Sequence, residues 1–172
     1  MKKLLLLTSV LAWISGVSAE EKPKLIVGVV ISHFYPEWMD MYGNELSENG
    51  LKRVMKQGTR VNVNYNYFYT QTGVDHASIY TGMLPTEHGI VSRAWYDRLR
   101  RKRQYSTQSD RYTEIGDQQA DSIKSLSPDY LQTMSLGSAM KWNNPMSRVF
   151  SVAMNGDEAV LSGGSSADMA IW

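Results

Sequence analysis

At 172 residues, 42% hydrophobic and 20% charged, the chain is ordinary globular material with about one domain's worth of length. It contains no cysteine, which rules out disulfides, thiolate zinc sites and a thiol nucleophile. A formal charge of +1 offers no electrostatic footprint for nucleic acid.

Residues 1–19 read as a secretory signal peptide, with Lys2 and Lys3 as the basic start, an apolar run from Leu4 to Val17, and the small-residue cleavage site Val17-Ser-Ala19 before Glu20. The apolar run is shorter than a membrane-spanning helix needs and holds Ser, Thr and Gly. Its removal leaves 16 basic against 17 acidic residues, a formal charge of −1. The mature form is then expected to be exported, periplasmic or secreted, and soluble. Residues 24–32, Lys-Leu-Ile-Val-Gly-Val-Val-Ile-Ser, form the continuous apolar run of a strand buried on both faces of a parallel sheet. A helix carrying Leu51, Val54 and Met55 follows and stops at Gly58. Residues 60–67 alternate with period two, as a half-exposed strand does.

Next come an expected short helix opening at Thr72 and a hairpin or excursion over residues 95–106. The hairpin holds the basic patch Arg98-Leu-Arg-Arg-Lys-Arg103, which reads as a solvated loop rather than an anionic-surface contact because nothing aromatic interleaves with it. Ser127-Pro128 signals a helix start, with Tyr130, Leu131, Met134 and Leu136 near its buried side and an end around Asn143-Asn-Pro145. Residues 148–154 read as a second buried strand and Asn155-Gly156 as a tight turn. Strands and helices in this alternation give an α/β fold, with no internal repeat.

The residues that carry chemistry centre on Thr72. A hydroxyl at a helix N-terminus lies beside unpaired backbone N–H groups and the positive end of the helix dipole, where a phosphate or sulfate oxygen binds readily. Thr72 is therefore a candidate nucleophile for an ester of either acid. A plain N-cap is the alternative, because Thr caps helices everywhere.

The wider pattern, Thr72-x-x-x-His76-Ala-Ser-Ile-Tyr-Thr-Gly82 followed by Pro85, His88-Gly-Ile90 and Trp95-Tyr-Asp-Arg98, resembles the alkaline phosphatase superfamily. It is most similar to the periplasmic phosphate-monoesterase branch with a Thr nucleophile. The nucleotide pyrophosphatase/phosphodiesterase branch is related and has a similar Thr motif. The resemblance implies a three-layer α/β fold with a mostly parallel central sheet and flanking helices, incomplete at the C-terminus of this chain. It also implies that the chain is the N-terminal part of a larger protein, with the metal-binding His and Asp residues arriving later.

By the same resemblance the chemistry is zinc-dependent hydrolysis of small phosphate esters. One zinc ion activates Thr72, which is then also a metal ligand, and a second stabilises the leaving oxygen. Ser32 stands where the family's first Asp ligand belongs, and a neutral hydroxyl is a weaker zinc ligand than a carboxylate. Arg93 stands where an Asn holds a phosphate oxygen, and its guanidinium fork still suits an anion. Asn155 and Asp157 replace the Lys-x-Arg clamp of the monoesterases, and Asp157 is expected to repel a phosphate dianion. Val74-Asp75 replaces the family's Pro-Gly. His76 and His88 match structural positions. Two readings follow: a Thr72 hydrolase shifted from monoesters towards diesters, with little activity in this chain alone, or a catalytically degenerate secreted binding or structural protein of the same fold. The sequence leaves the oligomeric state open.

Overall fold

The computed structural model describes residues 23–68, 70–109, 111–112, 115 and 125–172. The signal-peptide assignment at residues 1–19 lies outside the described residues. The chain divides into two units, Met1–Asn62 and Val63–Trp172.

In the first unit, two short helices stand out: α1 (Glu37–Met41) and α2 (Leu51–Gln57), and neither buries a residue. Helix α2 ends at Gly58, as its sequence predicts. Lys52 and Lys56 both reach Glu48, at 2.6 and 2.9 Å, and their hydrogen bonds lower its carboxyl to about 2. The buried strand expected at residues 24–32 is not formed. This segment has no ladder partner among the described residues, and Leu25, Val27 and Val29 are all at least 70% exposed. A strand exists through its partners, and the described part of this unit supplies no second extended segment paired to it. Residues 60–67 likewise form no ladder.

The second unit has a core. Helix α3 (Thr72–Thr81) starts after Gln71, whose backbone is extended, and ends at Gly82 in the left-handed region with φ 68°. Helix α4 (Pro85–His88) follows at once, its Glu87 carboxylate accepting the Leu84 amide at 2.8 Å. The expected hairpin is present: β1 (Ala94–Asp97) pairs antiparallel with β2 (Lys102–Tyr105). Helix α5 (Leu136–Asn143), β3 (Phe150–Val152), α6 (Gly156–Gly163) and β4 (Met169–Ile171) complete the order. Strands β3 and β4 run parallel, joined through α6 as a βαβ unit. These two pairs are the only multi-residue ladders among the described residues, so the α/β class is present while a continuous central sheet is not drawn by hydrogen bonds here.

Two other expectations shift. The helix assigned to Ser127-Pro128 begins instead at Leu136, capped by Ser135, which accepts the Ser138 amide at 3.2 Å. The intervening backbone is committed elsewhere: Ser127 N–H donates to Thr107 O and Gln132 N–H to His88 O. Those tertiary bonds compete with helical ones. Asn155-Gly156 does not make a tight turn; Asn155 is the N-cap of α6, with Asp157 and Glu158 in the first turn where the helix dipole favours acids.

The core consists of Val74, Ala77, Ile90 and Leu161, flanked by Tyr130 and Leu131. It locks α3 against α6, and Gly73 permits the approach: a Cβ there meets Leu161 Cδ1 at 3.3 Å and Asp157 Cβ at 3.8 Å. At the far end of α6, Ser135 Oγ donates to Gly163 O and Ser151 Oγ to Ala159 O. Asp168 ties α5 to the β3–β4 pair, accepting from Lys141, Val149 N–H and Arg148. Those donors, Lys141 first, hold its carboxyl well below the usual range.

Candidate active site

The α3–α6 packing puts the start of α3 beside the first turn of α6. Thr72 is the first helical residue and is exposed, so the cap reading does not hold: Gln71 occupies the N-cap, and no side-chain cap bond is made. Thr72 Oγ1 makes no hydrogen bond among the described residues, and the helix's leading amides lie beside it. Its carbonyl is held from below, because His76 Nδ1–H donates to Thr72 O at 2.7 Å.

Gln71 is the residue that sequence reasoning missed. Its side-chain oxygen accepts the Arg93 amide at 2.6 Å and the Ser92 hydroxyl at 3.2 Å. That fixes the Arg93 backbone next to the residue preceding Thr72. No sequence signal announces this, since a Gln before a helix is neither a common cap nor a family motif residue.

Asp157 joins the same place from α6. Its Oδ2 lies 3.3 Å from Arg93 Nε, and its Oδ1 accepts the hydroxyl of buried Thr107 at 2.5 Å. The expected repulsion by Asp157 is therefore offset in place by Arg93. The two departures from the family pattern form one ion pair. With the Arg93 side chain 68% exposed, the pair adds about 0–1 kcal/mol of stability, so its consequence is local charge rather than fold. Asp75 is also engaged, accepting the Tyr67 hydroxyl at 2.9 Å. Burial is the main cause raising that phenol's pKa.

Both histidines of the motif are structural by geometry. His88 is fully buried; its Nδ1 accepts the Ile90 amide at 3.1 Å, so Nε2–H faces Ser78 Oγ at 2.9 Å. Burial lowers its pKa and keeps it neutral. Asn155 turns to Glu158, its Nδ2 donating to Oε1 at 2.7 Å. Ser32 belongs to the first unit, where it is exposed in a turn before His33, a residue at φ 57°. The second unit thus brings Thr72, Arg93 and Asp157 to one place.

A zinc pair needs several carboxylate or imidazole donors converging on one point. Among the described residues no group of three His, Cys, Asp or Glu side chains converges, and the acids near Thr72 are bound to Arg93, Thr107 and Tyr67. The described residues do not by themselves fit a zinc pair.

Comparisons with known proteins show the family and the fold. Residues 26–162 match the family described as type I phosphodiesterase / nucleotide pyrophosphatase. The chain belongs to that family, within the Thr-nucleophile branch of the alkaline phosphatase superfamily. It is 31% identical over 160 residues to alkaline phosphatase PafA of Elizabethkingia meningoseptica, covering 90% of this chain and 29% of that protein. To alkaline phosphatase PhoK of a Sphingomonas species it is 32% identical over 155 residues, covering 90% of this chain and 27% of the relative. The crystal structure of wild-type PafA is similar with a TM-score of 0.81 at 29% identity, over 90% of this chain and 30% of that one. The fold is alkaline-phosphatase-like α/β, and the chain spans under a third of the length of these relatives.

Proposed function

We propose that this chain is exported after loss of residues 1–19 and binds phosphoric esters at Thr72, with diesters ahead of monoesters. The relatives named as alkaline phosphatases support the ester class, and the phosphodiesterase family match supports the shift towards diesters. The observation that carries the reading is the Arg93–Asp157 pair beside the start of α3. With Asp157 offsetting Arg93, the cationic character left at Thr72 comes mainly from the partial charge of the helix end. That is enough for a monoanionic diester and poorly matched to a monoester dianion.

Within this site, the helix amides and Arg93 hold non-bridging oxygens and Gln71 keeps Arg93 in place. The Thr72 hydroxyl stands free to face phosphorus as the nucleophile. A threonine hydroxyl needs a base or metal to attack, and the described residues bring neither to it. Little turnover is therefore expected from this chain alone. The test is purified full chain with an aryl phosphate diester and the matching monoester, with and without zinc. The reading expects saturable diester binding that weakens in Thr72→Trp and only marginal hydrolysis. Absence of diester binding removes the site assignment. Brisk zinc-dependent turnover lost in Thr72→Ala removes the low-activity assignment.

A further inference from the structure

We infer that a second anion site exists on this chain, a small cavity under the β1–β2 hairpin suited to a phosphoryl dianion. The cavity has a volume of about 270 Å³, below the ~300 Å³ at which drug-sized ligand pockets begin. That size suits an inorganic phosphate or the phosphate end of a small ester. Lys102 and buried Gln104 line it from the same face of β2, since alternate residues share a face. The intervening Arg103 lies over the Tyr105 ring at 5.1 Å. Arg100 and Arg111 add two guanidinium groups to the lining.

Charge is what separates this cavity from an ordinary surface dent. Among the described lining residues, three are cations, Arg100, Lys102 and Arg111, and one is a carboxylate, Asp129. Asp129 already accepts the Ser109 hydroxyl at 2.9 Å. Lys102 and Arg111 make no close side-chain ion pair or hydrogen bond among the described residues, while Arg100 pairs with Asp97 at 3.8 Å and donates to the Tyr130 hydroxyl at 3.3 Å. The turn that carries these groups is itself fixed. Asp97 Oδ1 accepts the Leu99 and Arg100 amides at 2.9 and 3.0 Å, and Arg101 turns the chain at φ 53°. Lys102 and Arg111, which make no close side-chain ion pair among the described residues, attract a phosphoryl anion, and guanidinium groups match its oxygens. This site favours a dianion, whereas the charge-balanced site at Thr72 favours a monoanion. The basic patch of the hairpin, read from sequence as a solvated loop, supplies two of its three cations.

The test is a titration of the full chain with inorganic phosphate, followed by amide chemical shifts, and repeated with a small organic phosphate monoester to distinguish the two sources. The expected result is saturable binding of at least one of them with shifts at Gln104 and Ser109. Lys102→Gln with Arg111→Gln should weaken it by roughly tenfold or more, and Thr72→Ala should leave it unchanged. Lys102→Arg, which keeps the charge, should retain binding and guards against misreading a folding defect. No saturable binding of either anion, full binding in the double variant, or loss in Thr72→Ala would each overturn the inference. Because the readout is binding at the hairpin, it stands or falls separately from diester binding at Thr72.

Discussion

The two units use similar apolar material to different effect. In the first, Leu25, Val27, Val29, Val54 and Val61 are exposed, and neither helix buries a side chain. In the second, α3 and α6 meet along Val74, Ala77 and Leu161, with Ile90 closing the cluster. The difference is partnership rather than hydrophobicity: an apolar run stabilises a fold only when another element covers it. The candidate active site follows the same line. Its three converging residues sit on the packed α3–α6 pair and the loop that Gln71 ties to it, while Ser32 belongs to the first unit, whose described residues form no buried core.

This contrast is sharpest in core truncation. Leu161→Ala should cost about 2–5 kcal/mol in urea unfolding, because it empties the junction between α3 and α6. Val29→Ala should change stability by no more than about 0.5 kcal/mol. A large effect at Val29 would mean that the first unit is covered after all. Caps give a smaller effect. Ser135→Ala removes the only bond from an N-cap side chain to a helix amide among the described helices and should cost about 1 kcal/mol, against a negligible change for Ser47→Ala, an exposed residue of the first unit outside any helix.

Acid gives the smallest and most graded comparison. Asp168 has a folded pKa below its unfolded one, so its contribution is complete above the ordinary carboxylate range and fades as pH falls through it. His88 acts in the same sense at higher pH: buried neutral, it contributes fully above the free imidazole range and less below it. The urea midpoint should therefore decline in two stages on acidification. Asp168→Asn should flatten the lower stage and leave the upper one. Glu48, though lowered to about 2, is an exposed clamp in the first unit, and Glu48→Gln should leave the curve nearly unchanged.

The motif from Thr72 to Ile90 was legible because its chemistry is local: a helix start, a Gly in the left-handed region and two inward histidines. The hairpin was legible for the same reason. What escaped depends on distant partners. Residues 24–32 carry the pattern of a buried strand, but pattern cannot supply a neighbour. Pro128 favours a helix start, yet bonds from Ser127 and Gln132 to Thr107 and His88 hold that backbone elsewhere. Asp157 read alone looked repulsive; the structure places it on Arg93, a residue 64 positions earlier, and shows Thr107 fixing its other oxygen. Gln71 carries no sequence mark of its part in placing Arg93.

In the proposed function, one ion pair sets which esters the α3 start accepts. The most direct measurement is the ratio of monoester to diester affinity in the unaltered chain and in Asp157→Asn. Freed of its counter-charge, Arg93 should tighten the monoester by roughly tenfold and the diester by less, narrowing the gap between them. A ratio that does not move when Asp157 loses its charge would contradict the claim.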